Sequence, residues 1–172
     1  QQLGSHALRR TIQASLSAEG AIEGLASTYY YGIEAADKRE GYFAAKDSAE
    51  YVKAIEDEKS IEITEYNSFS MKDFTPVVRD VFKFTKSTDV NGDYIYVNPM
   101  LFAHVEASPF VNEKRDLPVE FPNQTQYTVN VVLDIPEGYV VEDKPESCNI
   151  KMSDGGLSLL YNIVHQGNKL ML

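Results

Sequence analysis

The sequence predicts a mainly β fold, a two-layer antiparallel β-sandwich with a short helical insertion around residues 33–59. Three observations carry that expectation. Apolar and polar residues alternate along several segments, the aromatic content rests on 11 Tyr and 8 Phe with no Trp, and Gly- and Asn-containing turn sequences separate the segments. Alternation with a period of two marks a strand with one buried face. Aromatic side chains pack well on a pleated surface, and many short strands joined by tight turns build sandwiches or barrels. At 172 residues the chain reads as one module, long enough to bury roughly two-thirds of the surface its unfolded form exposes. It begins without Met and reads as a piece of a larger protein, with a candidate boundary near residues 108–124.

Thr11, Gln13 and Ser15 alternate with Ile12, Ala14 and Leu16, giving a first strand over Ala7–Leu16. Ser17 to Gly20 turns the chain, and Ala21–Tyr31 returns as the second arm of a hairpin. Between Ile33 and Lys59 the composition shifts to Ala, Glu and Lys, which favour helix. There Asp47 and Glu50 have the spacing of a capping box. Tyr51, Val52 and Ile55 fall on one side of the helical period, so this helix should lie on a sheet. Strands resume at Ser60–Tyr66, Pro76–Lys86, Tyr94–Phe102, Thr125–Ile135, Ser147–Met152 and Leu157–His165, with a short Lys169–Leu172 last. Thr125–Ile135 is the clearest, with Tyr127, Val129, Val131, Leu133 and Ile135 on one face. Asn91-Gly92, Asp154-Gly155-Gly156 and Gly167-Asn168 supply the turns. Ser108–Gln124, with three prolines, suits a long crossing between sheets.

The net charge of −10 opposes nucleic-acid binding and contact with anionic lipid, because both rest on neutralising phosphate. No apolar run approaches the roughly 20 residues that cross a bilayer, and Gln1–Leu16 lacks the hydrophobic segment of a signal peptide. The expectation is no nucleic-acid partner and no membrane insertion.

Chemistry is sparse. Cys148 is the one thiol, and a cysteine nucleophile needs a nearby oriented His, which His165 would have to supply. Cys148 alternates with Ile150 and Met152, so it reads as a core residue on an apolar strand face. His6, His104 and His165 lack metal-ligand spacing. Asp89-Val90-Asn91-Gly92-Asp93 imitates the start of a calcium loop, but its Gly comes early and Met100 occupies the place of the closing Glu, so it reads as a hairpin turn. Glu56, Asp57 and Glu58 read as a solvated helix end. No cofactor or metal site is expected, and no catalytic residue. Tyr29, Tyr31, Tyr94 and Tyr96 are the candidate ligand platform, because aromatic faces stack on sugars and peptides.

A longer pattern runs through Ala107-Ser108-Pro109-Phe110, Lys114-Arg115-Asp116-Leu117-Pro118-Val119-Glu120-Phe121-Pro122, and Pro136-Glu137-Gly138-Tyr139 leading to Pro145. It resembles the C-terminal region of bacterial transglutaminase-like proteins, a β-sandwich of unknown function behind a papain-fold domain. Upstream, Tyr31-Gly32-Ile33-Glu34-Ala35 with Arg39 is similar to the family's helix entry. The resemblance implies a carboxylate partner for Arg115 and export to the periplasm or cell surface. It also implies an upstream transglutaminase-like partner domain that carries the Cys, His and Asp of the active site. Family members continue beyond the position of Leu172, so it further implies an unpaired last strand whose edge invites self-association. The function expected is that of a non-catalytic accessory or interaction domain of such a protein, of cysteine-protease type. The alternative is a glycan- or peptide-binding sandwich using the exposed tyrosines.

Overall fold

The computed structural model describes residues 6–103, 124–153 and 156–172. Its centre is a seven-stranded mixed sheet in the order β10-β11-β7-β1-β2-β4-β3. The strands are β1 (His6–Leu16), β2 (Ala21–Tyr31), β3 (Glu62–Phe69), β4 (Val77–Ser87), β7 (Thr125–Asp134), β10 (Val164–Gln166) and β11 (Lys169–Met171). Two small hairpins form separate two-stranded sheets, β5 (Asp89–Asn91) with β6 (Tyr94–Tyr96) and β8 (Cys148–Lys151) with β9 (Ser158–Tyr161). The mainly β architecture with a helical insertion is as the alternation of the strands and the Ala-, Glu- and Lys-rich stretch between Ile33 and Lys59 predict. The sheet is antiparallel throughout except where β1 and β7 run parallel, with Ile12 opposite Val131 and Ala14 opposite Leu133.

The first hairpin closes at Ser17, whose amide donates to the Ala21 carbonyl at 2.8 Å, while its hydroxyl accepts from the Glu19 and Ala21 amides. Gly20 completes the turn at φ 82, and a Cβ there would stand 2.4 Å from Val90. Only glycine meets both demands.

Alternation then sorts the sheet's faces. Ile12, Ala14 and Leu16 of β1, Ile22 and Ala26 of β2, Phe82 and Phe84 of β4, and Val131 and Leu133 of β7 share one buried face. Burying each large side chain contributes about 1.5–3 kcal/mol. Leu101 and Phe102 cover this face at one end, with the Phe102 ring 4.9 Å from that of Phe84. At the other end the same face receives the helices α1 (Ile33–Ala44) and α2 (Ser48–Lys59) through Ala35, Tyr51 and Ile55. These cluster with Tyr30, Met71 and Val78.

The α2 cap is the one the Asp47/Glu50 spacing predicts, with Asp47 accepting from the Glu50 amide at 2.9 Å. The Glu50 carboxylate reaches one residue further back than a capping box requires and accepts from the Lys46 amide at 2.6 Å. Glu56 ties α2 to β3 by accepting from the Ile63 amide at 2.7 Å. Of the acidic run, Glu56 is therefore partly buried and structural, while Asp57 and Glu58 stay exposed.

Four expectations need correction. Tyr94–Phe102 is not one strand, because Asn98-Pro99 breaks it: Asn98 accepts from the Met100 amide by its side chain and from the Leu101 amide by its carbonyl. That turn delivers Leu101 and Phe102 to the core. Leu157–His165 is likewise split at Asn162-Ile163, where Ser147 Oγ bonds both residues. The final strand is not unpaired, since β11 lies between β10 and β7, and Leu172 exchanges two 2.9 Å hydrogen bonds with Val131. The sheet's edges are β10 and β3 instead, and β3 carries an irregularity between Ile63 and Glu65 of the kind that blunts an edge. Fourth, Cys148 is exposed rather than in the core. The candidate boundary and crossing at 108–124, Arg115 and His104 lie outside the described residues, apart from Gln124.

Candidate functional site

The solvent face of the sheet carries an ordered row of side chains. Strand register sets Phe69 opposite Arg79, Arg79 opposite Tyr29, and Tyr29 opposite Arg9, so four neighbouring strands contribute alternating rings and guanidinium groups. The Arg79 guanidinium lies 5.0 Å from the Tyr29 ring centre and 5.5 Å from that of Phe69. Arg9 lies 5.6 Å from the Tyr31 ring, which stacks on Tyr29 at 6.5 Å. Directly opposed cation and ring pairs on a sheet face stabilise it by roughly 0.2–1 kcal/mol each. They also hold the guanidinium planes in place. A shallow, open cleft of about 360 Å³ forms beside the row, lined by Tyr29, Phe69, Ser70, Thr75, Pro76, Val77 and Arg79.

The loop flanking this cleft is pinned from behind. Arg39 Nη2 donates to the carbonyls of Ser70 and Thr75 at 2.9 and 2.7 Å. Arg39 sits on α1, whose entry is set by His6: its Nδ1 accepts from the Ile33 amide at 2.9 Å and caps the helix in place of Gly32. Gly32 adopts φ 61, and a Cβ there would meet His6 Nδ1 at 2.5 Å. The Tyr31-Gly32 entry and Arg39 thus serve one purpose, placing α1 and the cleft loop.

Beneath the helices lies a charged cluster that sequence reading missed. Asp80 of β4 is wholly buried, receives the Tyr30 hydroxyl at 3.1 Å and pairs with Lys38 of α1 at 2.8 Å. The Lys38 ammonium also faces the rings of Tyr30 and Tyr51 at 5.0 and 5.2 Å. Burial pulls its pKa down, but Tyr30 and Asp80 outweigh burial and hold it above the ordinary lysine value. Burial, followed by the Asp80 charge, raises the Tyr30 and Tyr66 phenols. The signal in the sequence was Asp80 standing between Val78 and Phe82 on the apolar face of a strand. The cluster is largely shielded from solvent and fixes α1 to the sheet.

The four platform tyrosines do not meet. Tyr29 and Tyr31 sit at the end of β2 that pairs with the start of β4, whereas Tyr94 and Tyr96 belong to the hairpin after Ser87 at the far end of β4. The intervening ladder is roughly 30 Å long. Tyr94 and Tyr96 face each other at 6.5 Å and are both exposed. Of the four, only Tyr29 lines the cleft. Asp89–Asn91 forms one strand of that hairpin, as a turn reading of the acidic loop requires.

Cys148 pairs across β8 and β9 with Tyr161, Ile150 pairs with Leu159, and the Met152 amide bonds the Leu157 carbonyl at 2.9 Å. One hairpin face therefore presents Cys148, Ile150, Met152, Leu157, Leu159 and Tyr161 together. Ile150, Met152, Leu157 and Leu159 are each at least half exposed. Their combined apolar surface is roughly 400 Å², as large as the biggest patch on a typical monomer. Among the described residues no hydrogen bond joins Cys148 to a histidine, and no group of His, Cys, Asp and Glu gathers to hold a metal. His165 instead lies beside Val141–Lys144 in a small open cleft. No helix of the described residues is long and apolar enough to cross a membrane.

Residues 93–172 match a family model described as a domain of unknown function with solved structure, DUF3858. The matched region begins at the β5–β6 hairpin and includes β8 and β9, so the apolar hairpin face belongs to the part of the chain that resembles this family. No curated protein and no solved structure matches the chain.

Proposed function

We propose that this chain is a non-catalytic interaction domain of a transglutaminase-like, protease-type exported protein, and that it works by packing the β8–β9 hairpin against a neighbouring domain. The observation that carries the reading is the exposed apolar face of that hairpin. A two-stranded hairpin alone is marginal in water, and one that leaves a continuous apolar face uncovered is suited to a partner surface. The helix-entry residues Tyr31-Gly32 and Arg39 and the Pro136-Glu137-Gly138-Tyr139 turn support the choice of neighbour by their resemblance to the transglutaminase-like family. Chemistry in this reading belongs to the neighbour.

Hydrogen exchange tests it on a protein in which this chain is joined to its transglutaminase-like domain. Amides of Cys148–Lys151 and Ser158–Tyr161 should exchange more slowly there than in the 172-residue chain, and Leu159→Lys should abolish the difference. Equal exchange in the two forms would refute hairpin docking.

A further inference from the structure

We infer that the row of rings and guanidinium groups on the solvent face of the sheet is a second binding surface, built for a protein segment that presents a carboxylate beside an apolar side chain. It uses different strands from the β8–β9 hairpin and stands independently of hairpin docking.

Charge points to the carboxylate. The chain carries ten more acidic than basic side chains, yet neither Arg9 nor Arg79 pairs with a carboxylate among the described residues. Arg79 spends one N–H, from Nε to Ser27 Oγ at 3.1 Å, and the rings of Tyr29 and Phe69 flank its plane. That leaves its outer N–H fork oriented and uncommitted, the arrangement that takes a carboxylate in a bidentate pair. Arg9 stands two strands away in the same row, about 10 Å from Arg79 at the backbone.

The lining of the cleft points to an apolar neighbour for that carboxylate. Tyr29, Phe69, Pro76 and Val77 form most of it, and Phe74 in the same loop is fully exposed. Polar groups of the loop are already engaged, with the Ser70 and Thr75 carbonyls held by Arg39 and the Thr75 hydroxyl donating to the Val77 carbonyl at 3.1 Å. A sugar ring would bring several hydroxyls to a wall with few partners left for them. A peptide with Glu and Phe two residues apart places both on one side of an extended chain, one for the Arg79 fork and one for the Phe69 and Pro76 wall.

The test is an NMR titration of the full 172-residue chain with the blocked peptide acetyl-Gly-Glu-Gly-Phe-Gly-amide. The same peptide with Gln for Glu and the acidic sugar tetragalacturonate serve as the other arms. The Glu peptide should give saturable shifts at the Arg79 Nε–H and the Tyr29 ring. Binding should weaken about tenfold or more with the Gln peptide and with Arg79→Gln, the loss expected for a charge-assisted hydrogen-bond pair. Arg9→Gln, an exposed change that spares the fold, should also weaken it. Absence of saturable shifts, equal binding of the Glu and Gln peptides, or a response to tetragalacturonate matching the Glu peptide would each overturn the inference. None of these results bears on exchange protection at the β8–β9 hairpin, so the two surfaces fail or stand separately.

Discussion

Replacing Lys38 by Met removes the ammonium that pairs with Asp80 at 2.8 Å. Asp80 is wholly buried and the Lys38 side chain is 13% exposed, so water replaces the lost partner poorly. Removing one member of a buried ion pair costs about 3–5 kcal/mol, against a total stability of about 5–15 kcal/mol for a domain. At about 2–4 °C per kcal/mol for a chain of this size, the melting temperature should fall by about 10 °C. The Lys38 ammonium also lies over the rings of Tyr30 and Tyr51, and Met refills much of the side-chain volume, so the loss reports the charge, in its ion pair and its ring contacts together, more than the packing. The double variant Lys38→Met with Asp80→Leu places an apolar side chain between Val78 and Phe82 and should recover part of the stability, because an apolar substitute for a buried pair is often near neutral, less about 1–3 kcal/mol for the buried Tyr30 hydroxyl that loses its acceptor. Because the Lys38 pKa is raised on folding, its contribution is fully present below the unfolded lysine value of about 10.4 and is lost as pH climbs through the folded value. The gap between parent and Lys38→Met should thus be constant from neutral pH to about 10 and narrow only above it. Urea unfolding followed by far-ultraviolet circular dichroism measures all three proteins. A Lys38→Met loss under about 1 kcal/mol, or a double variant as unstable as the summed singles, would refute the assignment of this pair as the anchor of α1.

Three further outcomes follow from the same geometry. Gly32→Ala forces a Cβ to within 2.5 Å of His6 at a positive φ and should cost about 1–3 kcal/mol in thermal unfolding, with an unchanged melt counting against His6 as the α1 cap. Asp47→Ala removes the side-chain acceptor for the Glu50 amide and should cost about 1 kcal/mol by the same measurement, where Asp47→Asn should cost much less. The Tyr127 phenol is pushed up to about 12 by partial burial of its hydroxyl end and then by the Glu34 carboxylate it bonds at 2.8 Å; spectrophotometric titration should find one tyrosine moving back toward 10 in Glu34→Gln, and identical titration curves would rule out that contact.

Strands β1 and β7 were legible because alternation reports which side chains share a face, and Ile12, Ala14, Leu16, Val131 and Leu133 are the core residues it selects. The α2 cap was legible because Asp47 and Glu50 act within one turn. Alternation does not report whether a face is covered, and that is why Cys148, Ile150 and Met152 read as core while the structure leaves them exposed. The same limit applies to Tyr127, which shares a face with Val131 and Leu133 but is 64% exposed. Asn98-Pro99 carried a legible turn signal that the apolar run around it obscured. The parallel pairing of β1 with β7 and the Lys38–Asp80 pair depend on residues far apart in the chain, which no local period encodes. The Phe69–Arg79–Tyr29–Arg9 row requires the register of four strands at once. From the sequence only Tyr29 and Tyr31 of that surface stood out, and they were joined to Tyr94 and Tyr96, at the other end of the ladder, because composition carries no distance.

The most direct test of the interaction-domain account uses Cys148 itself as a reporter, since it lies on the apolar hairpin face and is exposed. Its reaction with an aromatic disulfide reagent should be fast in the folded 172-residue chain, and about tenfold or more slower when the chain is joined to the transglutaminase-like domain proposed as its neighbour, as expected if docking keeps that face closed more than nine-tenths of the time. Equal rates in the two proteins would contradict the account, and so would a thiol that reacts only when the isolated chain unfolds.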